Sequence, residues 1–148
     1  PWWHQIDLSS EMLPIARRCE EKGLPLLLHL GGSPKTGNFE VLLNKFPRLK
    51  LILAHLAVPY FQSWRVVKEA KNCFMDISGS YVNASLVRRA VKTMGPDKVI
   101  FGSDGPVPLR CRGGGHSYEA VLRWTRELRI SDNDKEKIFH KNLERLLP

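Results

Sequence analysis

Four short apolar runs in this chain each end in a side chain that can bind a metal, take up a proton or make a hydrogen bond. Residues 24–29 read LPLLLH, 49–55 read LKLILAH, 74–78 read FMDIS and 99–104 read VIFGSD. Helical patterns separate them, so the runs recur roughly every 25 residues, the length of one strand-plus-helix unit. Strands that are continuously apolar are buried on both faces, which is the mark of a parallel sheet. Such a sheet gathers the C-terminal ends of its strands on one rim. Two histidines and an aspartate far apart in sequence then meet around one site.

The segments between the runs support this layout. Residues 9–22 carry Met12, Leu13, Ile15, Ala16 and Cys19 at helical spacing, with Ser10 as N-cap and Gly23 as the stop. Residues 31–37, rich in Gly and Pro, read as an irregular loop. Phe39, Val41, Leu42, Leu43 and Phe46 mark a helix ended by Pro47, and 60–71 a further one that carries Phe61, Trp64, Val66 and Val67. Residues 84–94 form an amphipathic helix closed by Gly95-Pro96. A Gly-rich loop over 110–115 leads to a helix over 117–128, and Ser131 with Asp134 caps a last helical stretch to Leu147. Four βα units make either a small open sheet or half of an eight-stranded barrel. No linker divides residues 1–148, so they read as one domain.

Composition excludes several classes. No run approaches the ~20 apolar residues of a membrane span, and the N-terminal PWWHQIDLSS carries no signal-peptide pattern. The first residue is Pro1 rather than Met, the expectation for a segment of a longer chain. Cys19, Cys73 and Cys111 are scattered without metal-binding spacing, which predicts reduced thiols and a cytoplasmic protein. The net charge of +8 invites a nucleic-acid partner. Against it, Lys and Arg are spread thinly over helical segments, often beside Glu or Asp, with no dense basic block. That is a solvated basic surface, compatible with attraction of anionic small molecules.

Three residues stand at equivalent strand ends. His29 closes LLLH, His55 repeats that placement one unit later, and Asp104 follows VIFGS. Taken singly, each has an ordinary structural use: a histidine bonds a loop carbonyl, and an aspartate caps a turn. Together, two His and one Asp suit a divalent ion, with Zn²⁺ the default and Mn²⁺, Fe²⁺ or Co²⁺ alternatives. Asp104 can be ligand or base, and His55 can ligate, or hydrogen-bond a water and a developing oxyanion. Weaker candidates for substrate contact are Ser78, Arg110 and Arg112; the two arginines flank the loop after Asp104 and can clamp a carboxylate. Asp76 either faces the site or pairs with a neighbouring Lys or the backbone.

GLPLLLHLGG, FPRLKLILAHL, NCFMDISGS, DKVIFGSDGP and the terminal IFHKNLERLL occur in this order over nearly the whole chain. Together they resemble the C-terminal half of the amidohydrolase superfamily, in its amidohydrolase-related group of metal-dependent (β/α)₈-barrel hydrolases and decarboxylases. FGSD.P and the closing N-x-x-R-L-L are the most specific elements. The resemblance implies that the four runs are strands 5–8 of a TIM barrel. It implies that His29 ligates the metal, that His55 is a second ligand or the catalytic histidine, and that Asp104 is ligand and proton acceptor. The family's H-x-H pair on its first strand has no counterpart here. Leu56-Ala57-Val58 replace small, glycine-like residues, which predicts a different local loop shape.

The expectation is therefore a metal-dependent hydrolase of a lactone, amide or ester, with a small-molecule substrate and neither nucleic-acid nor membrane partners. Decarboxylation of a small carboxylic acid is the alternative chemistry. A non-catalytic half-barrel that serves as an interaction unit or homo-oligomer is the alternative class, because its sheet edges would be exposed.

Overall fold

The computed structural model describes residues 4–105 and 117–148. Asp7 Oδ1 accepts the backbone N–H and hydroxyl of Ser9, so the first residues of the 9–22 pattern are spent on a turn. Helix α1 therefore starts later than its pattern, at Leu13–Lys22. Strand β1 (Pro25–Leu28) follows. The loop after it was expected to be irregular, but Ser33 and Thr36 cap each other reciprocally and close one helical turn, α2 (Pro34–Gly37). Helix α3 (Glu40–Lys45) stops where Phe46, the residue before Pro47, leaves the helical region.

Strand β2 (Lys50–Leu53), helix α4 (Ser63–Glu69), strand β3 (Cys73–Asp76), helix α5 (Ala84–Met94) and strand β4 (Val99–Ile100) complete the βα alternation. Asn83 caps α5 by accepting the Leu86 N–H. Helices α6 (Tyr118–Arg126), α7 (Asp132–Glu136) and α8 (Asn142–Glu144) close the chain. Ser117 and Ser131 are the N-caps of α6 and α7. The last stretch is not one continuous helix: a π-helical turn at Lys137–Lys141 interrupts it. Within that turn the Ile138 carbonyl accepts the Phe101 N–H, at 2.8 Å, just past the end of β4.

The four strands form one parallel sheet in the order β1-β2-β3-β4. Register splits it into two faces. Leu28, Leu53, Met75 and Val99 align in one row and join the main core with Ala16, Leu42, Trp64, Val67, Val87 and Val121 from the helices. Leu27, Ile52 and Phe74 align in a row of the opposite face. There Ile52, Phe74 and Ile100 pack against Leu143 and Leu146 of the C-terminal segment. Leu27 keeps 59% of its surface exposed, so this second face is covered only in part. The expectation of strands buried on both faces is thus met fully on one side only.

Some of the positive charge is spent inside the fold. Lys50 Nζ donates to the carbonyls of Gly23 and Leu146, and Lys98 Nζ to that of Ala70 while it stacks over the Phe74 ring. These lysines staple strand starts to neighbouring segments, a structural use of charge. Cys73 is buried and its thiol is pushed up to about 12, which makes it an inert core residue rather than a nucleophile. Among the described residues no helix is long and apolar enough to cross a membrane.

Candidate active site

The strand ends do converge. His29 lies one residue past β1, His55 two past β2, Asp76 ends β3, and Asp104 follows β4. All four, with Ser78, line one cavity of about 630 Å³ whose apolar wall includes Leu27, Ile52, Ile100 and Leu143. The floor of the site is therefore the partly covered sheet face. The His29 and His55 rings meet edge to face, with centroids 4.7 Å apart.

His55 sits in an unusual backbone. His55, Leu56 and Ala57 take φ of 57°, 53° and 52° in succession, a left-handed turn built without glycine. Each such residue is strained by roughly 1–2 kcal/mol. Two anchors hold the turn. Asp76 Oδ1 accepts the His55 N–H at 2.9 Å, and the Trp64 indole donates to the Leu56 carbonyl at 2.8 Å. At Leu56 and Ala57 the backbone thus follows the path that glycine would favour.

Asp76 is the hub of the site. Its Oδ1 accepts the backbone N–H of His55 and of Ser78, and the Ser78 hydroxyl at 2.5 Å. The Ser78 oxygen also lies 2.9 Å from His55 Nδ1. Of the two readings open for Asp76, facing the site or bonding the backbone, the structure shows both. Ser78 is buried, and its hydroxyl is engaged by these two neighbours. Gly79 comes next, at φ 88°, and a Cβ there would stand 2.4 Å from His55 Nδ1. Only glycine lets the chain pass the imidazole this closely.

Burial first, and the neighbouring His55 second, hold the His29 imidazole below its ordinary value of 6.5, with Asp104 and Asp76 opposing. A neutral imidazole offers a lone pair, which is the form that ligates a cation. The donor chemistry suits a divalent ion, but no three His, Cys, Asp or Glu side chains among the described residues are clustered as a ready cage. Asp104 adopts φ 57°, a conformation that Asp tolerates better than most residues. Arg110 and Arg112 lie outside the described residues. His140, on the final helical stretch, pairs with Glu144 at 2.9 Å on the surface.

Tyr81 is a neighbour that the sequence did not single out. Its ring lies 6.2 Å from that of His55, and it borders a second cavity shared with His29 and Tyr60. The role of Asp76 could have been suspected from D-x-S-G at a strand end, where a carboxylate can bond the backbone two residues on. Nothing in the sequence marks the left-handed turn.

Comparison with known proteins now decides the lineage. The amidohydrolase family model matches residues 1–148. The chain belongs to the amidohydrolase family. Solved structures give the same fold. An amidohydrolase from Bifidobacterium longum subsp. infantis aligns at TM-score 0.75 and 23% identity, over 99% of this chain and 58% of that one. Dihydroxybenzoic acid decarboxylase from Polaromonas, with bound manganese and 2-nitroresorcinol, aligns at 0.65 and 18%, over 95% and 55%. 5-Carboxyvanillate decarboxylase from Novosphingobium aromaticivorans, complexed with manganese and 4-hydroxy-3-methoxy-5-nitrobenzoic acid, aligns at 0.64 and 19%, over 95% and 52%. No curated protein matches the chain significantly. This amidohydrolase chain thus spans less than two thirds of the length of the structures it matches. Its four-stranded parallel sheet corresponds to part of their fold.

Proposed function

We propose that this chain forms strands 5–8 of a metal-dependent (β/α)₈-barrel amidohydrolase that cleaves a C–O or C–N bond of a small lactone, amide or ester. The observation that carries the reading is the convergence of His29, His55 and Asp104 on one cavity at the strand ends. His29, neutral through burial, and Asp104 are the ligands this chain contributes to a divalent ion, zinc or manganese, and the other ligands come from outside the described residues. When bound, such an ion supplies Lewis acidity, lowering the pKa of a water and polarising the bond under attack. Asp104, which lines the same cavity as His29, would also take up the proton released as water attacks. His55 stands beside His29 on a backbone held by Asp76 and Trp64, so its ring is fixed relative to the reacting atoms. The apolar wall of Leu27, Ile52 and Ile100 receives the carbon skeleton of the substrate.

A second reading, decarboxylation of a small carboxylic acid, is favoured by the decarboxylases among the fold matches. In it, His29 and Asp104 would hold the ion, and Asp104 would take the proton of the substrate's acid group and return it to the carbon that loses CO₂.

The test uses the full-length protein, stripped with a chelator and reloaded with zinc or manganese. It is assayed on esters, lactones and amides in heavy-oxygen water, and on hydroxylated aromatic acids with CO₂ detection. Label in the product acid marks hydrolysis; CO₂ release with no labelled acid product marks decarboxylation. Stripping is expected to lower turnover at least ~100-fold and reloading to restore it. Turnover indifferent to chelation contradicts the proposal.

A further inference from the structure

We infer that Asp76 and Ser78 are positioning residues that fix His55 in the tautomer protonated on Nδ1, so that Nε2 carries a lone pair. The inference rests on the reading of His55 as a site residue and concerns what that residue can do. Proton counting leads to it. Asp76 Oδ1 receives two backbone N–H groups, from His55 and Ser78, each at 2.9 Å. An oxygen that takes two N–H donors is an acceptor, so its 2.5 Å contact with the Ser78 oxygen uses the hydroxyl proton of Ser78. Serine has one such proton, and it is spent. The remaining contact of the Ser78 oxygen, 2.9 Å from His55 Nδ1, must then be filled by a proton on Nδ1. A neutral imidazole holds one N–H, so Nε2 has none.

The surroundings make this arrangement hard to escape. Asp76, Ser78 and His55 are all buried, so water does not supply an alternative partner freely. The same carboxylate oxygen that orders Ser78 also anchors the His55 backbone, so ring and main chain are registered to one atom. Gly79 leaves the space beside Nδ1 free of a Cβ, which keeps the ring against Ser78.

The consequence narrows what His55 does. With Nδ1 committed, Nε2 is the polar atom that His55 brings to the cavity, and it arrives as an acceptor. Neutral His55 can lend electrons to an ion or take a proton from a group in the cavity. It cannot donate a hydrogen bond to a developing oxyanion from Nε2. Of the roles open to it from sequence, ligand and hydrogen-bond acceptor for a water remain.

The test is the ¹⁵N spectrum of the histidine side chains of the full-length protein, stripped of metal, with His55 assigned by loss of its signals in His55→Gln. Expected are a pyrrole-type Nδ1 and a pyridine-type Nε2. In Ser78→Ala the preference should relax toward the usual Nε2–H form, and Ser78→Thr, which keeps the hydroxyl, should restore it. In turnover assays Ser78→Ala should lower kcat by about 10–100-fold with KM within about twofold, again rescued by Ser78→Thr. An Nε2–H His55 in the unmutated protein overturns the inference, as does a Ser78→Ala spectrum unchanged from it. The tautomer is read without metal or turnover, so a failed metal reading leaves this result independent.

Discussion

Replacing Asp76 by Ala should cost about 3–5 kcal/mol of stability and abolish turnover. The carboxylate oxygen accepts three hydrogen bonds inside the fold, from the His55 N–H, the Ser78 N–H and the Ser78 hydroxyl. Truncation leaves the two backbone donors buried with no acceptor, at roughly 1–3 kcal/mol each, while the Ser78 hydroxyl can turn to His55 Nδ1. The left-handed turn adds to this. His55, Leu56 and Ala57 hold positive φ against their preference, and the Asp76 bond to the His55 N–H is one of two anchors that keep them there. Without it the turn relaxes and the His55 ring leaves its place beside His29. Asp76→Asn retains an oxygen acceptor and should lose only about 1–2 kcal/mol. Denaturant unfolding with a circular-dichroism readout measures both. A loss below 1 kcal/mol in Asp76→Ala would mean that the hub role is wrong.

Gly79→Ala should be nearly as damaging, and here two costs can be separated. The added Cβ would stand 2.4 Å from His55 Nδ1 and 2.8 Å from Cγ, with φ at 88°. The backbone part is roughly 1–2 kcal/mol and the overpacking part roughly 1–3 kcal/mol. Gly23 isolates the first. It too has positive φ, 65°, but a Cβ there meets nothing within 4 Å. Gly23→Ala should therefore lose only about 1–2 kcal/mol and leave activity intact, whereas Gly79→Ala should lose about 2–5 kcal/mol and ~100-fold in kcat. Equal losses of stability in the two variants, with activity retained in both, would show that His55 is not held against Gly79.

These two positions also mark what could be read from the chain and what could not. Strand ends were legible because apolar runs that stop at His29, His55 and Asp104 follow a rule of parallel sheets, and the observed order β1-β2-β3-β4 obeys it. The caps at Asn83, Ser117 and Ser131 are local, three-residue interactions, although of these only Ser131 was read as a cap from sequence. The left-handed turn was not legible, since Leu56 and Ala57 prefer other backbone shapes and take this one only under tertiary anchors. Asp76 is ambiguous in sequence because only its bonds to Ser78 are local; the third is to the His55 backbone, 21 residues away at a different strand end. The break in the last helix coincides with a backbone bond from Phe101 to Ile138, and no local pattern announces it. Half-covered Leu27 was read as buried, because a run of leucines looks alike whether or not its second face has a partner.

The central claim is that His29 and Asp104 hold a divalent ion. The most direct measurement is the metal content of the full-length protein, purified and reloaded with zinc or manganese, beside His29→Ala and Asp104→Ala. The unmutated protein should carry stoichiometric metal. Each variant should lose at least ~10-fold in metal affinity and turn over substrate at least ~100-fold more slowly, while keeping the same far-ultraviolet circular dichroism. Metal and activity retained by both variants would contradict the account.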